Sequence, residues 1–480
     1  MATPVVREIA VIGGGITGLA AAQALLEEPG TVVTVFEADP DVGGKLRASE
    51  LAGVTVDEGA ESMLAVRPEA TGLAAAVGLR PSIVHPVTQT AAVLSHGRLR
   101  PLPPGLVSGV PTDLRALAAS GVMSTRGLLR LPLDQCLGRP RLTQDVSVGE
   151  FVGRRLGREV VDRLVEPLLA GVYAGDPDQL SLKMANPSLF RQLARDDSLL
   201  AAAAATRSGS AVTAGARRGP AFAGLRGGVA RLAAKTADAV RAGGGIIRTG
   251  TAVDRLRRVR QRWEVHTGDA AREFDGLVVA VPAAQAGALL RTSAPFAAMQ
   301  IAAIDYASVA VVTLAYPSEE GAKLEGSGFL VPPVEGYSIK GVTYATNKWE
   351  WLARDARSSS PRGMVILRAS LGRYGDAAVL EHDDAELAEL VRADLASIVG
   401  LAPRTLAERV TRWDHALPQY RVGHVELVQR ARDALLDAPG VALAGAAYDG
   451  VGIASCIASG RQGARKVVRD LIENGVQAHA

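Results

Sequence analysis

The stretch that most constrains this chain is IAVIGGGITGL, residues 9–19. An apolar run enters three glycines, and a fourth follows three positions on. Glycine loses more conformational freedom on folding than any other residue, so four in one turn need a reason. The flanks supply it. Residues 7–13 read as a buried strand, Ile16 to Glu28 as an Ala- and Leu-rich helix stopped by Pro29-Gly30, and 31–37 (TVVTVFE) as a β-branched strand. Strand, glycine turn, helix and strand within about 30 residues make a βαβ unit. There Gly13 permits the tight turn, Gly15 lets the backbone approach a pyrophosphate, and Gly18 lets helix and sheet pack closely. The helix start at Ile16 and Thr17 offers unpaired N–H groups to phosphates. Glu37 closes the second strand, where a carboxylate accepts ribose hydroxyls. The pattern predicts a dinucleotide site and leaves NAD and FAD both open.

At 480 residues the chain is too long for one simple core, so two or three domains are expected. Its net charge of +3 gives no reason to expect nucleic acid. Two cysteines, Cys136 and Cys456, exclude a disulfide scaffold and a Cys-rich metal site, and suit a reducing cytosol. The start MATPVVREIAVIGGG has no basic region followed by an apolar one, and no run of 18 residues is continuously apolar. Neither a secretory signal nor a membrane span is expected, and a cytoplasmic location is. HExxH, GxSxG and CxxC are absent, so no metal and no catalytic side chain is assigned. Two blocks are basic. Between His96 and Arg141 stand seven arginines (98, 100, 115, 126, 130, 139, 141) against Asp113 and Asp134, and between Arg207 and Lys235 six basic residues stand alone. Such blocks read either as solvated faces or as surfaces that draw in an anion.

The fold class expected is α/β, with a Rossmann-like domain assembled from discontinuous segments. Those segments are 1–88, 224–290 and 410–480. Within them 243–282 reads as a meander of short strands, and 441–472 as strand, glycine turn and helix. Residues 89–223 read as mainly helical; their end, LLAAAAATRSGSAVTAGARRGP (199–220), reads as low-complexity with a mobile loop. Residues 291–409 read as a mixed-sheet substrate segment, with strands SVAVVTLAY and GMVILRASL and a helix near 385–399.

Several motifs resemble the flavin amine oxidase superfamily. After Glu37, ADPDVGGKLRASELAGVTVDEGAESM (38–63) is similar to its segment in which a Gly-Gly-Arg/Lys turn runs beneath the flavin. That resemblance implies FAD, bound non-covalently, with Gly43, Gly44 and Lys45 in the turn and Gly59 and Ala60 beside the ring. AGAAYDGVGIASCIASGRQGA (444–464) resembles the closing FAD motif, implying Asp449, Gly452 and Ile453 as contacts. Val253 in GTAVDRL fits the residue whose backbone meets the adenine. Cys456 lies in that last helix; a small buried helix residue and a covalent flavin link are its two readings.

Longer segments resemble the protoporphyrinogen/coproporphyrinogen oxidase family: EPLLAGVYAGDPDQLSLKMANPSLF (166–190), GLRGGVARL (224–232), GFLVPPVEG (328–336), IKGVTYATNKW (339–349) and RWDHALPQYRVGH (412–424). Residues 192–222 match no such motif. The resemblance implies FAD-dependent, six-electron oxidation of coproporphyrinogen III to coproporphyrin III in haem synthesis, with O2 reduced to H2O2. Protoporphyrinogen IX oxidation, or another amine-oxidase-type reaction, is the alternative, and a non-catalytic flavin protein a further rival. An amine oxidase needs an aromatic cage, and this chain is 4% aromatic. The implied substrate residues are Arg67, Gly171, Tyr173, Leu330, Lys340 and Thr343. Tyr344 and Trp349 are candidate walls with core packing as the competing reading, and Arg98, Arg100 and Lys348 are further candidate cations for propionates. Weak peripheral membrane contact and transient contact with other haem-pathway enzymes complete the expectations.

Overall fold

The strand Arg7–Ile12 is buried from Ile9 onward because helices and a small sheet cover both faces of the parallel sheet around it. In the computed structural model, which describes residues 6–139, 142, 144–213 and 220–477, that sheet runs Ile246–Arg248, Thr31–Phe36, Arg7–Ile12, Gly276–Val279, Val441–Leu443. All four pairings are parallel. Separated stretches of chain therefore share one sheet, as the Rossmann-like reading requires. On one face lie the helix Ile16–Leu26 and the closing helix Ile453–Gln477. They touch where a Cβ on Gly460 would overlap Thr17 O, so glycine alone admits the contact. On the other face the meander Arg255–Val259, Arg262–Thr267, Ala270–Phe274 contributes buried Trp263 and Phe274.

The second sheet has seven strands: Ala407–Pro418, Tyr306–Pro317, Met364–Leu371, Ile339–Tyr344, Gly328–Leu330, Ala92–Ser95, Arg98–Pro101. It reaches beyond the 291–409 segment expected to hold it. Residues 92–101, read as part of a helical region, form a hairpin with left-handed backbone at His96 and Gly97. A lone hairpin is marginal in water, so it adds to the sheet edge instead. At the other margin, Ala407–Pro418 carries the sheet past residue 410. One sheet face packs on the helix Asp384–Val399, which starts with an Asp383/Glu386 capping box.

Helices dominate residues 114–213. Within the low-complexity stretch 199–220, LLAAAAATRSGSAVT is the helix Leu199–Thr213, part of the region read as mainly helical. Alanine and leucine are strong helix formers, and Leu199, Ala202 and Ala203 are buried in the helical core. Residues 214–219 of the stretch expected to hold a mobile loop lie outside the described residues. The basic blocks tie this layer together. Arg130 donates to Arg154 O and Arg155 O, and Arg139 pairs with Asp197. Arg207 donates to Thr112 Oγ1, and Arg231 to Arg226 O. Arg141, Arg217 and Arg218 fall outside the described residues. Among the described residues, no helix is long and apolar enough to cross a membrane.

Candidate dinucleotide site and adjoining cleft

The opening turn depends on close approach at two points. Gly13 has φ +107°, and a Cβ there would lie 2.8 Å from Ala280 O. A Cβ on Gly18 would overlap Gly13 O. Gly15 is different: its φ is −69°, and a Cβ built on it meets nothing within 4 Å. It borders open space at the start of the helix Ile16–Leu26, where free N–H groups and the helix dipole favour a phosphate. The 43–45 turn lies alongside: Gly43 N donates to Gly14 O at 2.9 Å, and Gly44 has left-handed φ. Glu37 sits over the glycines, accepting from Gly14 N at 2.6 Å and Asp39 N at 2.9 Å. Backbone bonds from Gly250 N to Asp39 O and Thr251 N to Glu37 O, both 2.8 Å, bring the segment leading to Val253 to this end.

The closing helix begins at Ile453 behind Gly452, which has φ +102° and also faces open space. Cys456 in its first turn meets Thr17, and Lys45 lies near both. Burial raises the Cys456 thiol, outweighing the Thr17 hydrogen bond and the Lys45 charge, so the group is a neutral thiol. Lys45 Nζ donates to Ala416 O and stands 5.9 Å from the Tyr306 ring centroid. Burial lowers its pKa. Two helix starts, the Lys45 turn and the Glu37 carboxylate thus gather at the carboxyl ends of the parallel strands. Unobstructed glycines at both helix starts and a carboxylate at the strand end fit a dinucleotide.

Lys45 meets the second sheet at Ala416, on the strand Ala407–Pro418. Trp413 Nε1 donates to Glu58 O at 3.2 Å and its ring crowds Gly59; Ala60 is exposed beside it. The helix Glu166–Tyr173 covers the sheet, with Gly171 packed on Leu330 and Leu330 on Gly341. Thr343, half-buried, follows on the same strand. Tyr173 stacks edge-on with Tyr420 at 5.6 Å, and burial raises its hydroxyl pKa. Arg67 stands at the rim of the closing helix, bonded to Ser455 Oγ at 3.3 Å and Glu69 at 2.9 Å, with 42% of its side chain exposed.

Several expected contacts fall elsewhere. The Asp449 carboxylate is taken by Arg432 at 2.8 Å and by Ser459, so it braces the closing turn and is not a free flavin contact. Tyr344 and Trp349, 2% and 3% exposed, are core: Tyr344 packs on Phe329 and Trp349 on the Val54–Val56 strand region. Lys340 is only 5% exposed; its ammonium donates to Gly372 O beside the Glu166–Arg373 pair, and burial lowers its pKa to about 7. It offers no exposed charge to a propionate. Lys348 is paired with Glu61. Arg98 lies exposed on the edge strand, and Arg100 packs on Gly121 at the end of the helix Leu114–Ser120.

Other contacts had no local signal. Tyr420 donates to Ala446 O, and His424 Nε2 bonds to Ala447 O at 2.9 Å. That oxygen only accepts, so Nε2 carries the proton; burial lowers the His424 pKa to about 4. Arg368, on the second sheet, joins Glu61 and Gly59. These contacts link residues 23 to 309 positions apart, which no motif reports.

Similarity to known proteins agrees with this geometry. The flavin-containing amine oxidoreductase family matches residues 16–468. A coproporphyrinogen III oxidase of Bacillus subtilis (strain 168) is 32% identical over 95% of this chain and 96% of its own. One from Staphylococcus aureus is 30% identical over 97% and 100%. A solved structure from Exiguobacterium sp. 255-15, provisionally named a protoporphyrinogen oxidase, superposes with TM-score 0.83 at 30% identity, covering 97% of this chain and 99% of that one. Cyclohexylamine oxidase from Brevibacterium oxydans shares the fold, at TM-score 0.70 and 18% identity. The chain is an FAD-dependent oxidoreductase of the flavin-containing amine oxidoreductase family, in the branch that holds the bacterial coproporphyrinogen III oxidases.

Proposed function

We propose that this oxidoreductase converts coproporphyrinogen III to coproporphyrin III in the haem pathway, removing six electrons while three O2 become three H2O2. The observation that carries this reading is end-to-end similarity to coproporphyrinogen III oxidases, insertions included. FAD, when bound, supplies the hydride acceptor, so the protein needs no nucleophile or metal. Its own residues bind and orient. Gly171, Leu330, Gly341 and Thr343 make a wall of small and apolar groups suited to a flat macrocycle. Arg67, fixed by Ser455 and Glu69, presents a guanidinium where a propionate can form a charge-assisted bond. The neutral Cys456 thiol favours non-covalent FAD: acid precipitation should leave yellow flavin in the supernatant, and flavin in the pellet would refute this.

The deciding assay compares coproporphyrinogen III and protoporphyrinogen IX in air, at equal detergent and salt. A higher kcat/KM for the tetracarboxylate is expected. The second reading, protoporphyrinogen IX oxidation, draws on the Exiguobacterium structure's name and on a 30% identical spinach chloroplast protoporphyrinogen oxidase. A higher kcat/KM for protoporphyrinogen IX selects it.

A further inference from the structure

Glu61 is a nearly buried carboxylate between the two halves of the molecule. Its Oε1 accepts from Lys348 Nζ at 2.5 Å and its Oε2 from Arg368 Nη1 at 2.9 Å. Arg368 lies on the strand Met364–Leu371, directly opposite Thr343 in register. Its second Nη donates to Gly59 O. Lys348 follows the strand Ile339–Tyr344 and rests 5.2 Å from the Trp349 ring centroid. The segment held this way, 57–61, begins at Asp57, which accepts from Val229 N and Ala230 N at 3.0 and 3.1 Å. One stretch of backbone is thus fixed to the dinucleotide-binding half at Asp57 and to the substrate sheet at Gly59 and Glu61.

The charges make this arrangement specific. All three side chains are at most 16% exposed. Burial alone would raise the Glu61 pKa, but Lys348 and Arg368 hold it at about 2. A buried carboxylate with two cations keeps its place because leaving either cation unpaired is costly. The Arg368 fork reaches a carboxylate and a carbonyl from two rigidly spaced nitrogens, a geometry that a single ammonium nitrogen does not share.

We infer that Glu61, acting through Arg368 and Lys348, is a positioning residue that sets the Gly59–Ala60 backbone for the flavin and the Thr343 strand for the substrate together. Displacing it loosens both sites. The substrate arm rests on the function proposed above; the flavin arm does not.

The test uses purified holoenzyme carrying Arg368→Lys or Glu61→Gln. Three quantities are read: FAD loss on dilution, KM and kcat for coproporphyrinogen III, and the melting temperature. Arg368→Lys keeps charge and most of the volume, so it stays measurable if Glu61→Gln does not fold. In Arg368→Lys, FAD dissociation and KM should both rise about tenfold, with kcat changed less than threefold. FAD retention and KM within twofold of wild type, whatever the melting temperature does, would show a fold staple only and overturn the inference. A rise in one without the other overturns the joint role. Should the wild-type enzyme turn over no porphyrinogen, the proposed function fails, and unchanged FAD dissociation in Arg368→Lys still overturns this inference.

Discussion

At the opening turn, glycines within six residues set the geometry; at the closing turn, four side chains from other elements do. Gly18 is fixed against Gly13 O inside one βαβ unit, and Gly13 against Ala280 O at the end of the neighbouring strand. The closing turn, 445–452, also has left-handed glycines, at 445, 450 and 452. Yet it is held from outside, by Tyr420 on Ala446 O, His424 on Ala447 O, and Arg432 and Ser459 on Asp449. The first turn is a steric device and the second a hydrogen-bonded one. Steric devices fail through added volume. Hydrogen-bonded ones fail through lost partners and through pH.

The largest effect should come from volume at the opening turn. A Cβ on Gly15 meets no protein atom, so Gly15→Val should fold with a near-normal far-UV spectrum and retain no FAD. Its side chain takes the place of the pyrophosphate. Gly18→Val, whose Cβ overlaps Gly13 O, should instead lose the folded protein. A Gly15→Val protein with full FAD would remove the contrast altogether.

Acid should break the closing turn next. The folded His424 pKa, about 4, lies below its unfolded value near 6.5. Its contribution is therefore complete above pH 6.5 and is lost as pH falls towards 4, by about 1.4 kcal/mol per unit and about 3 kcal/mol in total. Asp57 runs the other way: burial raises its pKa to about 6, outweighing the Val229 and Ala230 bonds and Arg368, so its carboxylate costs stability as pH climbs from 4 to 6. Melting curves of wild type and His424→Gln from pH 7.5 to 4.5 separate the two. Glutamine keeps an N–H for Ala447 O and does not titrate, so the variant should lose less stability and less FAD in acid. Parallel curves would deny His424 this part.

This difference also explains what was legible beforehand. Gly13, Gly15, Gly18 and Glu37 form a pattern with a fixed spacing, because one local unit must both turn and approach a phosphate. The βαβ unit at residues 7–37 followed from it; the order of the five parallel strands did not, because three of them come from distant parts of the chain. Tyr420 and His424 lie in the visible 412–424 segment, but their contacts and that of Arg432 left no trace, since each meets the turn only after the chain has folded back. Asp449 was misread for the same reason: its place in the motif is visible, while its partner Arg432, on the helix His424–Asp433, is not. The hairpin at 92–101 was missed differently. It is local, but the sheet edge it joins decides it.

Arg432→Met should come third. The pair with Asp449 is partly exposed, so screening limits its worth to about 1 kcal/mol. Ser459 still holds the carboxylate. FAD should dissociate a few-fold faster with the melting temperature lowered by a few degrees. Equal loss in Arg432→Met and in a variant distant from the turn, such as Arg392→Met, would mean the pair stabilises the fold generally and not the closing turn.

The smallest effect should come from Glu37→Ala, and it probes whether the opening turn is steric throughout. Glu37 is the side chain there that works by hydrogen bonding: its Oε2 accepts from Gly14 N and its Oε1 from Asp39 N. A typical hydrogen bond contributes about 1 kcal/mol net, and the carboxylate is partly solvated, so water replaces some of what is lost. The turn itself should survive, because Gly13 N still bonds to Phe36 O at 2.8 Å and the glycine contacts are untouched. FAD affinity should then fall five- to tenfold, equivalent to about 1–1.4 kcal/mol, with kcat and the ratio of kcat/KM between the two porphyrinogens unchanged. A titration with FMN, which lacks the adenosine half, makes the argument specific. If Glu37 holds the ribose, the variant should bind FMN as well as wild type does and lose affinity for FAD alone. An equal loss for both flavins would place the defect in the glycine turn, and the opening turn would prove as dependent on hydrogen bonds as the closing one.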